Sequence, residues 1–245
     1  MALTALSLQS LKETIDRIDD EIPDLRRILA LGYPDIVASP KAIRALFQLP
    51  ATVPLGIRAD SEGIVRWHNA ARVTDSIIES QDLFSALDFE LEIVDNASSR
   101  GGEIPLDLNE PVPEHYHERY ALVIDHGTCE HCFNIAQAIK NVATMVAKGG
   151  YVIHSNPLNM FNHGFYNLNP TWYHDFYKAN GFELLKLIVV SNGTVDPLIH
   201  EVPAVAKFRD IPERSSNLVL ARRLEVRPIV WPQQTKYTLY PELRG

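Results

Sequence analysis

The sequence predicts an α/β fold, a mainly parallel seven-stranded sheet with an N-terminal helical extension, on three observations. After residue 50, short apolar runs alternate with stretches of helical periodicity, the pattern of βα units feeding a parallel sheet. Four of those runs end in polar clusters, as strands do when their carboxyl ends border a ligand crevice. The chain's 245 residues, 46% of them hydrophobic, suffice for one such domain and its core.

The extension is expected over residues 1–50 and the α/β domain over 51–245. Within 10–31, Leu11, Ile15, Ile18 and Ile22 recur at helical spacing, and Ser10 with Glu13 has the form of a capping box. A second helical stretch is expected after Pro23, and Ser39 before Pro40 opens a third through Ala45, Leu46 and Phe47. Strands are expected at 52–57, 89–94, 104–106, 121–124, 151–154, 184–190 and 217–221. Between them, 74–87 and 134–147 read as helices. The second puts Ile135, Ala138, Ile139, Val142 and Val146 on one face before Gly149 and Gly150 stop it. The tail after Arg227 has no clear period.

A net charge of -8 without a Lys/Arg cluster argues against nucleic acid or an acidic membrane as partner, so a small-molecule substrate is expected. No basic segment precedes an apolar core near the N-terminus, and no apolar run is long enough to span a bilayer, which predicts a cytoplasmic protein. The two cysteines, Cys129 and Cys132, are too close in sequence to staple a fold of this size.

The expected strand tips carry Asp95-Asn96, Asp107-Leu108-Asn109, Asp125-His126-Gly127-Thr128 and His154-Ser155-Asn156. A carboxylate on the second strand's tip can accept from both hydroxyls of a ribose, a role that falls to Asp95. Any one such Asp also reads as an ordinary turn or cap residue. Asn134, at the first turn of the next helix, is placed to hold an amino or carboxyl group. His126, His131, His154 and His163 are general-base candidates that spacing alone does not separate.

The run YALVIDHGTCEH, a helix, then VAKGGYVIHSNP resembles the second half of class I S-adenosylmethionine (SAM)-dependent methyltransferases. Glu130-His131 stands where that family has an EH pair, and Lys148-Gly149-Gly150 where it has a KGG turn. Residues 162–184 resemble a smaller branch sharing an HGFY segment, an NP helix start and a terminal NGFE. The resemblance, over roughly 50–190, implies a Rossmann-like class I methyltransferase fold that binds SAM as cosubstrate or sole substrate. It further implies Asp95 on the ribose, Asp107 or Leu108 near the adenine, Gly127 and Thr128 by the methionine portion, and Asp125 at the same tip. The family's glycine-rich turn after strand one is absent, leaving only Gly56 in PLGIRAD. Two readings follow: SAM held through other contacts, or a fold that no longer binds it.

Seven aromatic residues lie between Phe161 and Tyr177. Ring faces favour a sulfonium by about 0.5–2 kcal/mol each, although Phe161, Trp172 and Phe176 also suit plain packing. Tyr166, Tyr173 and Tyr177 remain site candidates through their hydroxyls. No metal is expected, because Cys129, Cys132, His126 and His131 crowd into one strand-to-helix turn.

Two reactions fit. One is methyl transfer to a small acceptor, with His163 among the candidate bases. The other closes SAM on itself to azetidine-2-carboxylate with release of methylthioadenosine, as in the azetidine-2-carboxylate synthases, proteins that resemble this superfamily. There Asn134 would orient the amine, Tyr177 or Tyr173 cradle the sulfonium, and Ser191 or Asn192 hold the carboxylate. A non-catalytic binding protein is the third reading, and the N-terminal helices read as lid, homodimer contact or packing.

Overall fold

The computed structural model describes residues 2–98, 100–191, 198–202 and 211–239. Helix α1 (Ala5–Glu21) opens the fold after the short strand β1 (Ala2–Leu3) and buries Leu8, Leu11, Ile15 and Ile18 on one face. Helical periodicity then gives way to strand β2 (Arg27–Leu31), which corrects the expectation that the first fifty residues are helical. Ile28, Leu29, Ala30 and Leu31 are all fully buried: Ile28 and Ala30 pack into one core cluster, Leu29 and Leu31 into another. That two-sided burial is the environment of a central strand. Gly32 (φ +83°) and Pro34 then stop any continuation as a helix.

Strand β3 (Asp35–Ile36) pairs in parallel with β1, and helix α2 (Pro40–Phe47) follows with Ser39 Oγ accepting from Ala42 N at 3.2 Å. No strand forms at 52–57: these residues lie in turns, and Ile57 makes only an isolated bridge to Ile78. Helices α3 (Ser61–Trp67) and α4 (Ser80–Ala86) precede β4 (Glu90–Asp95) and β5 (Ile104–Pro105). Then come β6 (Tyr120–Asp125), α5 (Ile135–Met145), β7 (Val146–Pro157), α6 (Pro170–Ala179), β8 (Phe182–Ser191), β9 (Leu198–Glu201), β10 (Ser216–Arg223) and α7 (Thr235–Leu239). Helix α5 runs straight into β7, so Gly149 lies inside a strand instead of ending a helix.

Among the described residues the main sheet has eight strands rather than seven, in the order β5-β4-β2-β6-β7-β10-β8-β9. The first five are mutually parallel, while β10 runs antiparallel between β7 and β8 and β9 adds an antiparallel edge. The chain winds outward from β2 through β4 to β5, then returns to β6 on the other side of β2. This is a doubly wound, Rossmann-like α/β fold, with its switch point between β2 and β6. Helices α1, α2 and α4 cover one sheet face, and α5 and α6 cover the other. The boundary expected at residue 50 therefore does not separate an extension from a complete domain, because β2 is the strand on which the sheet is centred.

A chain that starts at residue 51 lacks this central strand and is expected to show no cooperative thermal transition by circular dichroism. Retention of one would mean that the rest of the sheet folds without β2. In the full chain Leu29→Ala is expected to lower urea stability by about 2–5 kcal/mol, as for a fully enclosed aliphatic side chain.

Candidate active site

The crevice at the switch point is built from three strand tips. Gly32 follows β2, and its N–H donates to Val94 O on β4 at 2.7 Å. A Cβ at Gly32 would lie 3.3 Å from Thr128 Oγ1 and 3.6 Å from Asp95 Oδ2, so the turn brings the tips of β2, β4 and β6 together. Thr128 Oγ1 donates to Leu31 O, which ties β6 to β2. At Asp95, Oδ1 accepts from Ala97 N at 3.2 Å, while Oδ2 has no hydrogen-bond partner among the described residues. Beyond Gly32 the loop is bulky: Tyr33 donates to Glu79 Oε2 at 2.7 Å, and the Arg58 guanidinium lies 4.2 Å from its ring centre.

Next to this crevice, Asp125 organises a buried polar network. Its Oδ1 accepts from Thr128 N and Cys129 N, both at 3.1 Å, shaping the turn after β6. Its Oδ2 accepts from His154 Nδ1 at 2.7 Å and Asn156 Nδ2 at 3.0 Å, both from the neighbouring β7. Burial alone would raise this carboxyl, but His154, Cys129 N and Asn156 outweigh it and hold the group below its ordinary value. With a carboxylate on Nδ1, that nitrogen carries the proton, and His154 Nε2 is left to accept from the Tyr177 hydroxyl. Asn156 also donates to Glu130 Oε2 at 2.9 Å and accepts from the Tyr173 hydroxyl at 2.5 Å.

Glu130 lies in a 3-10 turn, Cys129–His131, and is fully buried. Burial and the nearby Asp125 push it up to about 7 against the pull of Asn156. Its second oxygen, Oε1, has no hydrogen-bond partner among the described residues. His163 Nε2 lies 3.5 Å and His131 Nε2 3.9 Å from this oxygen. Gly127 (φ +95°) borders the same oxygen, 3.5 Å from where a Cβ would stand.

The sequence candidates divide accordingly. Asp95, Gly127, Thr128 and Asp125 are gathered at or beside the crevice, and Asn96 follows Asp95 on an exposed bend. Gly56 is not one of the strand tips that meet there: its N–H donates to Asp82 Oδ2 at 2.6 Å at the start of α4 and its carbonyl accepts from Glu79 N at 2.8 Å, while Gly32 holds the position after the first strand of the main sheet. Asp107 is exposed and held low by Asn109 N and Nδ2, whereas Leu108 is buried in the core. Asn134 caps α5, accepting from Gln137 N at 3.3 Å, and donates through Nδ2 to Asn109 O at 3.1 Å; both ends of its amide are engaged by the chain. Tyr173 and Tyr177 are fully buried with their hydroxyls committed to Asn156 and His154, and Tyr166 donates to Phe133 O at 2.8 Å. Ser191 shares a hydrogen bond of 3.1 Å with His200 Nε2 near the far edge of the sheet, and Asn192 lies outside the described residues.

Cys129, Cys132, His126 and His131 do not converge. Burial pushes both thiols up, Cys132 to about 12, and His126 Nε2 instead shares a 2.5 Å hydrogen bond with Ser7 Oγ. That contact lays the first turn of α1 over the tip of β6. Two open clefts of about 600 Å³ each, one beside Arg27 and Glu90 and the other beside Glu118 and Arg223, lie at the opposite end of the sheet from Gly32 and Asp125.

No family model matches the chain, and no curated protein does. Among solved structures it is similar to the N-methyltransferase NodS from Bradyrhizobium japonicum WM9 in complex with S-adenosyl-L-homocysteine (11% identity over 89% of this chain and 88% of that one, TM-score 0.42). It is also similar to the citrinin polyketide synthase CMeT domain (8% identity, 91% of this chain, 53% of that one, TM-score 0.46). A third is the DszA carbon methyltransferase (12% identity, 91% and 56%, TM-score 0.44). The chain thus spans little more than half the length of the latter two.

Burial depresses His126 from 6.5 to about 4. The unfolded chain therefore takes up this proton first, and the stability held above pH 6.5 is lost as pH falls toward 4, on the order of 3 kcal/mol. Urea unfolding of the wild type should weaken more steeply over this range than that of His126→Gln; parallel curves would refute the assignment. Asn134→Ala, as a lost helix cap, is expected to cost about 1 kcal/mol in the same measurement.

Proposed function

We propose that the chain is a SAM-dependent enzyme of small-molecule metabolism that transfers a methyl group to a small acceptor. The observation that carries this reading is the meeting of Gly32 with the Asp95 carboxylate at the switch point of a class I methyltransferase fold. Asp95 Oδ2 is free to accept from ribose hydroxyls, and the positive-φ glycines 32 and 127 let backbone approach from two adjoining tips. Tyr33 stands where a second glycine would give more room, so the cofactor would rest on Asp95 and the β6 turn more than on the β2 loop.

SAM supplies a methyl group already activated by its sulfonium, which leaves the protein mainly positioning to do. Asp125 fixes the turn that presents Gly127 and Thr128, and His154 and Asn156 keep that carboxylate charged and still. The start of α1, pinned by Ser7 to His126, covers this end of the sheet and would keep water from the reacting carbon.

Calorimetry with S-adenosyl-L-homocysteine tests the reading: the wild type should bind, and Asp95→Ala should bind at least about tenfold more weakly, a loss of about 1.4 kcal/mol. Absence of binding to SAM and S-adenosyl-L-homocysteine alike would favour a non-catalytic protein. Incubation with SAM alone should leave SAM intact. Methylthioadenosine formed without an acceptor would sink methyl transfer in favour of ring closure to azetidine-2-carboxylate.

A further inference from the structure

We infer that Glu130, His131 and His163 form a binding site for a divalent transition metal, Zn2+ or a close relative. Each of the three offers one ligand atom, a carboxylate oxygen or an imidazole nitrogen, and these lie within 4.8 Å of one another. Glu130 Oε1 lies 3.5 Å from His163 Nε2 and 3.9 Å from His131 Nε2. Zinc bonds to nitrogen and oxygen of about 2.0–2.1 Å set tetrahedral ligands roughly 3.4 Å apart, so the two carboxylate–imidazole distances ask a shift of about half an ångström at most, and the imidazoles must close on each other from within 4.8 Å. The imidazoles can supply it, since His131 and His163 are 49% and 45% exposed at their side chains.

A second observation points to a ligand here. Glu130 is fully buried, yet Oε1 has no hydrogen-bond partner among the described residues, and such an atom in a protein interior is costly unless something occupies its lone pairs. Its other oxygen is fixed by Asn156, which is itself held by Tyr173 and Asp125, the kind of support that orients a metal-binding carboxylate. Two glycines keep the place open. A Cβ at Gly127 would stand 3.5 Å from Oε1, and one at Gly164 would lie 2.9 Å from Glu130 O and 3.1 Å from His131 Nδ1. Gly164 thereby lets the chain cross the Cys129–His131 turn, where Phe165 N and Tyr166 N donate to Glu130 O at 2.9 and 3.3 Å. This crossing delivers His163 to Glu130 across 33 residues of sequence (163 - 130).

Three protein ligands, two of them at the surface, leave positions for water or an oxygen-bearing ligand, the open arrangement of reactive metal sites. Imidazole with carboxylate suits Zn2+, Fe2+ or Co2+ better than Mg2+ or Ca2+.

Titrating the EDTA-treated, dialysed full-length protein with Co2+ is expected to produce visible d–d absorption that saturates at a single equivalent and is displaced by Zn2+. His131→Ala, His163→Ala and Glu130→Gln should each weaken Co2+ by at least about tenfold, with folding checked by far-UV circular dichroism. Failure of the wild type to bind Co2+ or Zn2+ would overturn the site. So would loss in both histidine variants with full retention in folded Glu130→Gln, which would mark a surface histidine pair. If Glu130→Gln does not fold, Asn156→Asp, which turns the supporting amide into an acceptor, serves in its place, and unchanged affinity in it would equally count against the site.

Discussion

The buried Asp125 carboxylate is the constraint on which this end of the molecule depends. It stands beside His154 in the parallel register of β6 and β7, so two neighbouring strand tips are joined by a charge-assisted hydrogen bond as well as by the ladder. Its other oxygen binds two backbone amides, those of Thr128 and Cys129, and so dictates how the chain leaves β6. From that turn follow the conformation of Gly127, the reach of Thr128 to β2 and the seating of Glu130. An isolated ion in such a place would be prohibitively costly, and it is tolerated because Thr128 N, Cys129 N, His154 Nδ1 and Asn156 Nδ2 all donate to it.

The opposite wall of the crevice is made differently. At β2 the chain turns on one positive-φ glycine and then commits to Tyr33 and Pro34, with Tyr33 fixed between Arg58 and Glu79. Side-chain packing thus replaces the string of glycines that would leave backbone amides exposed. The β2 loop is thereby held by side chains, and the backbone left open at the crevice lies toward β6. The exposed rings Phe133 and Phe165, edge to face at 5.4 Å, lie on that side together with His131 and His163.

How far the sequence reveals this architecture depends on which interactions are local. The runs that became β4, β6, β8 and β10 are legible because each is a short apolar stretch flanked by turn residues, and the Asn169-Pro170 start of α6 follows from its cap, Asn169 Oδ1 to Thr171 N at 3.1 Å. Strand β2 is hidden because RILAL follows an amphipathic helix closely and its residues can be fitted to that helix's period. The signal against a helix was four consecutive apolar residues followed by Gly32 and Pro34, which marks a buried strand and a turn. Without β2, Gly56 reads as the glycine after the first strand, the position that Gly32 holds in the fold. Asp95, Asp125, Gly127 and Thr128 are legible as strand tips, whereas the pairing of Asp125 with His154 spans 29 residues and that of Asn156 with Glu130 spans 26. Such pairings depend on strand register and on Gly164, neither of which a linear pattern displays.

The two acids of the network show how one scaffold separates like groups. Asn156 Nδ2 donates to both carboxylates, so the amide does not decide between them. His154 does: of the two acids it bonds only to Asp125, and two backbone amides reinforce the choice, so Asp125 is the group that stays ionised. Glu130, equally buried and repelled by that charge, is raised to about 7. The pair can therefore respond at one position only. Whatever positive charge arrives at Glu130 Oε1, on the side of the half-exposed histidines, meets a carboxyl ready to change its protonation. The Asp125 turn beneath it keeps its charge, its hydrogen bonds and its shape.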